Sequence, residues 1–304
     1  MTNSSTDGLL HRPGVLLSLW TIALAWIGTL AFAQQLTVRD ILQLPQPPPD
    51  HRIAYGDHPL QFGDLRLPQG EGPFPVVVFI HGGCWRSQYT LDHTAGFNAA
   101  LARKGYASWS LEYRRVGDEG GGWPGTFLDV AAGTDHLRKL ADEYPLDLNR
   151  VVAAGHSAGG HLALWLAARR NLPRSSLLYA PHPLSLKAVL SLAGVPDLKQ
   201  AVDLGTCGKT VQLLMGGTPD EVPEHYQQGS PIELLPIGIP LRLIHAAQDS
   251  IVPPRYGLDF EKAAHSKGDN VQVIVLEDSG HFEMIAPETR QWVRVLQTLR
   301  SLFN

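Results

Sequence analysis

The chain has 304 residues, 44% of them hydrophobic and 18% charged, with 25 Lys and Arg against 29 Asp and Glu. That is enough apolar material for one large core. A net charge of −4 excludes neither solubility nor folding, but it gives no basic excess to neutralise nucleic-acid phosphates, and the apolar fraction argues against a disordered chain.

The N-terminus reads as an address. Residues 1–14 are polar and carry one basic residue, Arg12; residues 15–33 carry no charge and end in Ala31-Phe32-Ala33. A weakly basic start, an apolar run and small residues before Gln34 make a secretory signal peptide. The alternative is an uncleaved anchor, since about 19 residues can span a bilayer as a helix. Either reading puts the rest of the chain beyond the membrane, secreted or periplasmic. A membrane partner is expected only if the segment is retained. Residues 34–51, with Pro45 and Pro47-Pro48-Pro49, read as a stiff extended linker.

Residues 52–304 read as one domain of alternating strands and helices. Residues 52–67 suggest a leading hairpin. The run 76–80 (VVVFI) is a strand buried on both faces. A helix is expected over 92–104, a strand over 106–113, a helix over 126–143 and a strand over 150–154. There follow a helix over 158–170 and a strand over 188–193. After an irregular stretch come a strand at 241–246, a helix at 255–267, a strand at 271–277 and a final helix at 288–303. This alternation predicts an α/β fold, a mostly parallel sheet with helices on both faces. The stretch 195–237, rich in Pro and Gly, is too long for a plain connection and is expected to form a cap over the site.

Ligands in such sheets sit beyond the carboxyl ends of the strands. There the chain places Gly155-His156-Ser157-Ala158-Gly159, a G-x-S-x-G between a strand and a helix. That context makes Ser157 a nucleophile on a tight turn. Serine needs an adjacent base. Of 13 histidines, His281 lies after the last strand at the same edge. Asp249, after strand 241–246, is the expected acid that orients it, with Asp278 the rival. Acyl transfer also needs N–H donors for the tetrahedral oxygen. Ala158 supplies one, and the loop His81-Gly82-Gly83-Cys84-Trp85 the other, through Gly83 and Cys84 with Gly82 shaping the turn. His81 is expected to brace this loop and Trp85 to wall the acyl pocket. Cys84 reads as a small residue rather than a reactive thiol. Beyond the membrane a Cys84–Cys207 bridge is permitted, but spacing alone does not establish it.

HGGCW (81–85) and GHSAGGHL (155–162) resemble the HGGxW branch of the α/β-hydrolase superfamily. That branch includes kynurenine formamidase-like arylformamidases, feruloyl and acetyl-xylan-type esterases and lipase-like carboxylesterases. The resemblance extends over EYRR (112–115), GGWPGTFLDV (121–130), SPIELLP (230–236), QDSIVP (248–253) and GHFEMIAP (280–287). It implies the triad Ser157, Asp249 and His281 and an oxyanion role for the HGGCW loop. Cys84 departs from the Tyr or Gly more usual before the tryptophan. The expected activity is hydrolysis of a small-molecule ester through an acyl-enzyme. Arylformamide hydrolysis by the same residues is the alternative, disfavoured by the export signal. A prolyl-oligopeptidase-type peptidase would need a large extra domain, and a non-catalytic binding protein would usually lack a triad member. No HExxH or Walker loop is present, and no metal or nucleotide cofactor is implied.

Overall fold

The computed structural model describes residues 1–3, 35–287 and 289–304. The chain divides into two units, Met1–Gln34 and Gln35–Asn304. The apolar run 15–33, read as the export signal, lies outside the described residues.

The second unit is built on an eight-stranded sheet. Its strands are β1 (His51–Ala54), β2 (Phe62–Arg66), β3 (Phe74–Ile80), β4 (Ala107–Leu111), β5 (Leu146–His156), β6 (Ala188–Leu192), β7 (Leu241–Ala246) and β8 (Val271–Leu276). Their order is β1-β2-β4-β3-β5-β6-β7-β8. The β1–β2 and β2–β4 pairs are antiparallel, and every pair from β4 onward is parallel. The leading hairpin and the parallel α/β sheet are therefore as the pattern predicted, and this is the α/β-hydrolase arrangement. Val76 to Ile80 of β3 are wholly buried, as a central strand covered on both faces requires.

The helices that matter for the site are α5 (Ala158–Ala168) and α10 (Arg290–Phe303). Every residue of α5 is buried, so this helix lies inside the molecule and holds its N-terminus fixed. In α10 Trp292, Val295, Leu296, Leu299 and Leu302 face inward at helical spacing, and Thr289 caps the first turn by accepting from Trp292 N–H.

Four expectations need correction. The helix expected over 126–143 is two, α3 (Gly125–Asp135) and α4 (Leu137–Glu143). The break is at His136, whose ring stacks on Trp109, while Asp135 turns to accept from Arg169. The helix expected from 92 begins as a 3₁₀ turn, Leu91–Thr94, before α2 (Ala95–Arg103). Residues 34–51 are not simply an extended linker, because α1 (Val38–Gln43) forms there with a capping box between Thr37 and Asp40 and buries Ile41. The stretch 195–237 is not irregular but carries α6 (Leu198–Asp203), α7 (Thr210–Met215) and α8 (Pro223–Gly229). One helix, α9 (Arg255–Ser266), then links β7 to β8.

Candidate active site

Ser157 sits between β5 and α5 at φ 57° and ψ −120°, a left-handed conformation that a serine rarely adopts. Such backbone strain costs on the order of 1–3 kcal/mol and persists only where surrounding structure over-determines it. Here the Ser157 N–H donates to Leu192 O of β6 at 2.8 Å, and the Ser157 carbonyl accepts from His161 N–H. The flanking glycines are required by close approach. A Cβ on Gly155 would lie 2.2 Å from Gly159 O, and one on Gly159 would lie 2.0 Å from Ile80 O. The G-x-S-x-G pattern is thus the imprint of two backbones crossing beneath the serine.

The loops after β7 and β8 bring Asp249 and His281 together. His281 Nδ1 donates to Asp249 Oδ2 at 2.6 Å. Asp249 Oδ1 accepts from Ile251 and Val252 N–H, both at 2.8 Å. The aspartate is thereby buried with its acceptor sites filled, and Nε2 is the His281 nitrogen left for another partner. The rival Asp278 is 71% exposed and faces Arg290 instead. His156, next to the serine, is fully buried, and its Nε2–H donates to the His281 carbonyl at 2.8 Å. It anchors the His281 loop to the serine turn.

The loop after β3 is braced from below. His81 is held between the Gly82 carbonyl (Nδ1–O 2.8 Å) and Glu112 (Nε2–Oε1 3.0 Å). Arg115 pairs with Glu112 at 2.9 Å and donates to the Tyr89 carbonyl. Glu112 Oε2 accepts from Leu91 N–H. Burial by itself would raise the Glu112 carboxyl, but His81, Arg115 and the Leu91 N–H outweigh it and hold it below its usual value. His81 is therefore a brace, as expected, and the EYRR motif supplies two of its supports. Among the described residues the N–H groups of Gly83, Cys84 and Ala158 meet no protein acceptor, as donors for a ligand oxygen should.

A cleft of about 90 Å³, open to solvent at its mouth, connects these parts. Ser157, His281, Gly83 and Cys84 line it, together with Val38, His93, Ile251 and Phe282. No cleft-lining residue comes from 195–237. The expected cap instead packs on α5, where His161 Nε2 donates to Gly229 O and Trp165 Nε1 to Gln228 O. Sequence reasoning missed Val38 and His93, which carry no motif. Ile251 and Phe282 could have been found, since they lie two residues past Asp249 and one past His281.

A model of the BD-FAE family matches residues 64–263, about two thirds of the chain. The chain belongs to the BD-FAE family. It is 27% identical to esterase LipC of Mycobacterium tuberculosis (strain ATCC 25618 / H37Rv) over 243 residues, which cover 76% of this chain and 59% of LipC. It is 26% identical to isoprenylcysteine α-carbonyl methylesterase ICME of Arabidopsis thaliana over 247 residues, 76% of this chain and 56% of that one. The chain thus matches less than two thirds of the length of these relatives. Among solved structures, esterase B from Lactobacillus rhamnosis (HN001) superposes with a TM-score of 0.72 at 19% identity, covering 85% of this chain and 87% of that one. This likeness shows the fold.

In this BD-FAE chain one residue of the HGGCW loop differs from expectation. Trp85 does not wall the cleft. It is fully buried and packs edge-on against His161 at 5.3 Å, because the left-handed backbone at Cys84 and Trp85 turns its ring into the core. Cys84 is bonded to Cys207, the pairing that spacing alone left open, with the Cα atoms 5.6 Å apart. Beside this bridge Arg86 donates to Cys207 O and Thr210 Oγ1, both at 2.8 Å. The HGGCW loop is therefore stitched to the segment between α6 and α7. His225 is half-buried and stacks on Trp123. Among the described residues no three His, Cys, Asp or Glu side chains converge as a metal site.

Two measurements follow from this geometry. The Cys84–Cys207 bridge spans 123 residues, so the double variant Cys84→Ser/Cys207→Ser should lose about 2–5 kcal/mol in urea unfolding. A loss under about 0.5 kcal/mol would mean that the bridge does not form.

The second concerns four buried histidines. Burial lowers His93 to about 3, with His81 adding to the effect, and lowers His161 and His245 to about 4. It also takes His156 well below its usual value. Folded, all four are neutral; unfolded, they take up protons below about pH 6.5. Their depressed values therefore contribute stability that is full above about pH 6.5 and is lost as the pH falls toward 4. Unfolding free energy measured against pH should fall over that window with a slope approaching four protons. His161→Gln should remove about one proton from the slope.

Proposed function

We propose that the chain is a serine hydrolase of carboxylic esters. The observation that carries this reading is the buried 2.6 Å pair of His281 Nδ1 and Asp249 Oδ2, whose histidine lines the same cleft as a serine on a strained strand-to-helix turn. The esterase names of LipC and ICME support it.

The chemistry runs as follows. Ser157 Oγ attacks the ester carbonyl while His281 Nε2 takes its proton. Asp249, buried and saturated, holds the imidazole in the Nδ1–H tautomer and stabilises the imidazolium. The N–H groups of Gly83, Cys84 and Ala158 receive the developing oxyanion, aided by the N-terminus of α5. His281 passes the proton to the departing alkoxide, and the alcohol leaves. Water, deprotonated by His281, then cleaves the acyl-enzyme and restores the serine.

We also propose that the protein acts outside the cytoplasm, with residues 1–33 as its export signal. The Cys84–Cys207 bridge supports this, since disulfides persist mainly in oxidising compartments. Exported protein should begin at Gln34 on N-terminal sequencing. Recovery with residues 1–33 attached, in the membrane fraction, would favour the anchor.

The test of the catalytic assignment is a panel of p-nitrophenyl esters, a feruloyl ester, acetylated xylan and N-formylkynurenine. Ser157→Ala should lower ester turnover about 10⁴-fold or more. Asp249→Asn should cost a comparable factor, whereas Asp278→Asn should leave the rate within about twofold. An undiminished rate in Ser157→Ala would overturn the assignment, and faster turnover of N-formylkynurenine than of any ester would replace it with formamide hydrolysis.

A further inference from the structure

The segment 35–46 carries no catalytic motif, yet it touches both loops that hold the acid and the base. The Gln35 amide donates to Gln248 O and Gln248 Oε1, at 3.2 and 3.1 Å, beside Asp249. A Cβ on Gly280, beside His281, would lie 2.9 Å from the same Gln35 side chain. Leu36 N–H donates to Glu283 Oε1 at 2.8 Å, two residues past His281. The chain then turns into α1 through the Thr37–Asp40 capping box, and Val38 in its first turn lines the cleft.

The far end is equally fixed. Ile41 is 1% exposed. Gln46 donates to Ile41 O and accepts from Gly96 N–H of α2. Pro45 O lies so close to Gly96 that a Cβ there would meet it at 2.9 Å. The segment is thus a strap, pinned at the Asp249 and His281 loops on one side and at α2 on the other. It stands where the 195–237 stretch was expected to stand.

Which half of an ester meets the strap follows from the proton path. His281 must hand its proton to the alkoxide oxygen, so the leaving alcohol lies on the His281 side of the serine. The oxyanion donors Gly83 and Cys84 belong to a different loop, after β3. The strap is anchored to the His281 loop. We propose that this strap walls the alcohol side of the cleft through Val38, which sets the size of the alcohol group that the site accepts. This rests on the esterase reading, because it assigns a subsite to the leaving group of that reaction.

The experiment uses the full chain and two substrate series. One holds the acyl group at acetyl and grades the alcohol from methyl through butyl to naphthyl. The other holds p-nitrophenol and grades the acyl chain from acetyl to octanoyl. Val38→Trp should lower kcat/KM for the bulkiest alcohol by about tenfold relative to methyl, and Val38→Ala should raise it, with the acyl profile moving less than about threefold in both. Leu42→Ala, on the exposed face of α1, should leave both series unchanged. Unfolding midpoints show whether each variant is folded, and the smaller Val38→Ala change keeps the test available if the tryptophan is not accommodated. A shift of the acyl profile equal to that of the alcohol profile would overturn the proposal. So would a uniform fall across both series, which would mean that the strap only braces the loops. Equal rates for the wild-type chain and Ser157→Ala on every ester would instead remove the esterase reading beneath it.

Discussion

A serine held at φ 57° is a conformation that the chain would leave if it could. It stays because β5, β6 and α5 each hold one side of the turn. β6 accepts the Ser157 N–H, and α5, buried along its whole length, cannot shift. The crossing of the backbones at Gly155 and Gly159 leaves no room for a relaxed alternative. The remaining parts of the site are placed relative to this turn. His156 on the turn binds the His281 carbonyl, and the loop after β3 lies directly over it, with a Cβ on Gly82 excluded by His156 O at 2.7 Å.

Around that turn the protein fixes its loops with buried polar groups. Glu112 collects His81, Arg115 and two backbone N–H groups beneath the loop after β3. A buried carboxylate with partners on each oxygen is stiff, because losing any one partner leaves a charge without solvent. The Cys84–Cys207 bridge holds the same loop covalently from the other side. Asp249 follows the same rule, with one oxygen on two backbone donors and the other on His281. Rigidity of this kind is what preorganised hydrogen-bond donors require.

The neutral histidines share a related logic. His156, His161 and His93 each donate one ring N–H to a backbone carbonyl and remain uncharged because burial penalises the imidazolium. They tie the serine turn to the His281 loop, α5 to α8, and the 91–94 turn to itself. His245 differs: it is buried in β7, and neither ring nitrogen has a partner among the described residues. The ring is held by packing against Gly257, where a Cβ would lie 2.5 Å away.

The sequence by itself determined the α/β sheet and the chemistry-bearing loops. Strand and helix periodicity are local properties, and the serine turn needs glycines that adjoin it in the chain. For the same reason His281 and Asp249 were legible: each follows a recognisable strand, and their pairing geometry is as position implied. What only the tertiary structure decided depends on surfaces meeting across long separations. Trp85 went to the core because a left-handed backbone turned it there, and the Cys84–Cys207 bridge joined residues 123 apart. Val38 of α1 came to line the cleft from a stretch whose prolines suggested only a linker, while the expected cap was drawn onto α5 by its own contacts. Such choices are made by packing between elements, and no periodicity within either element records which partner it will meet.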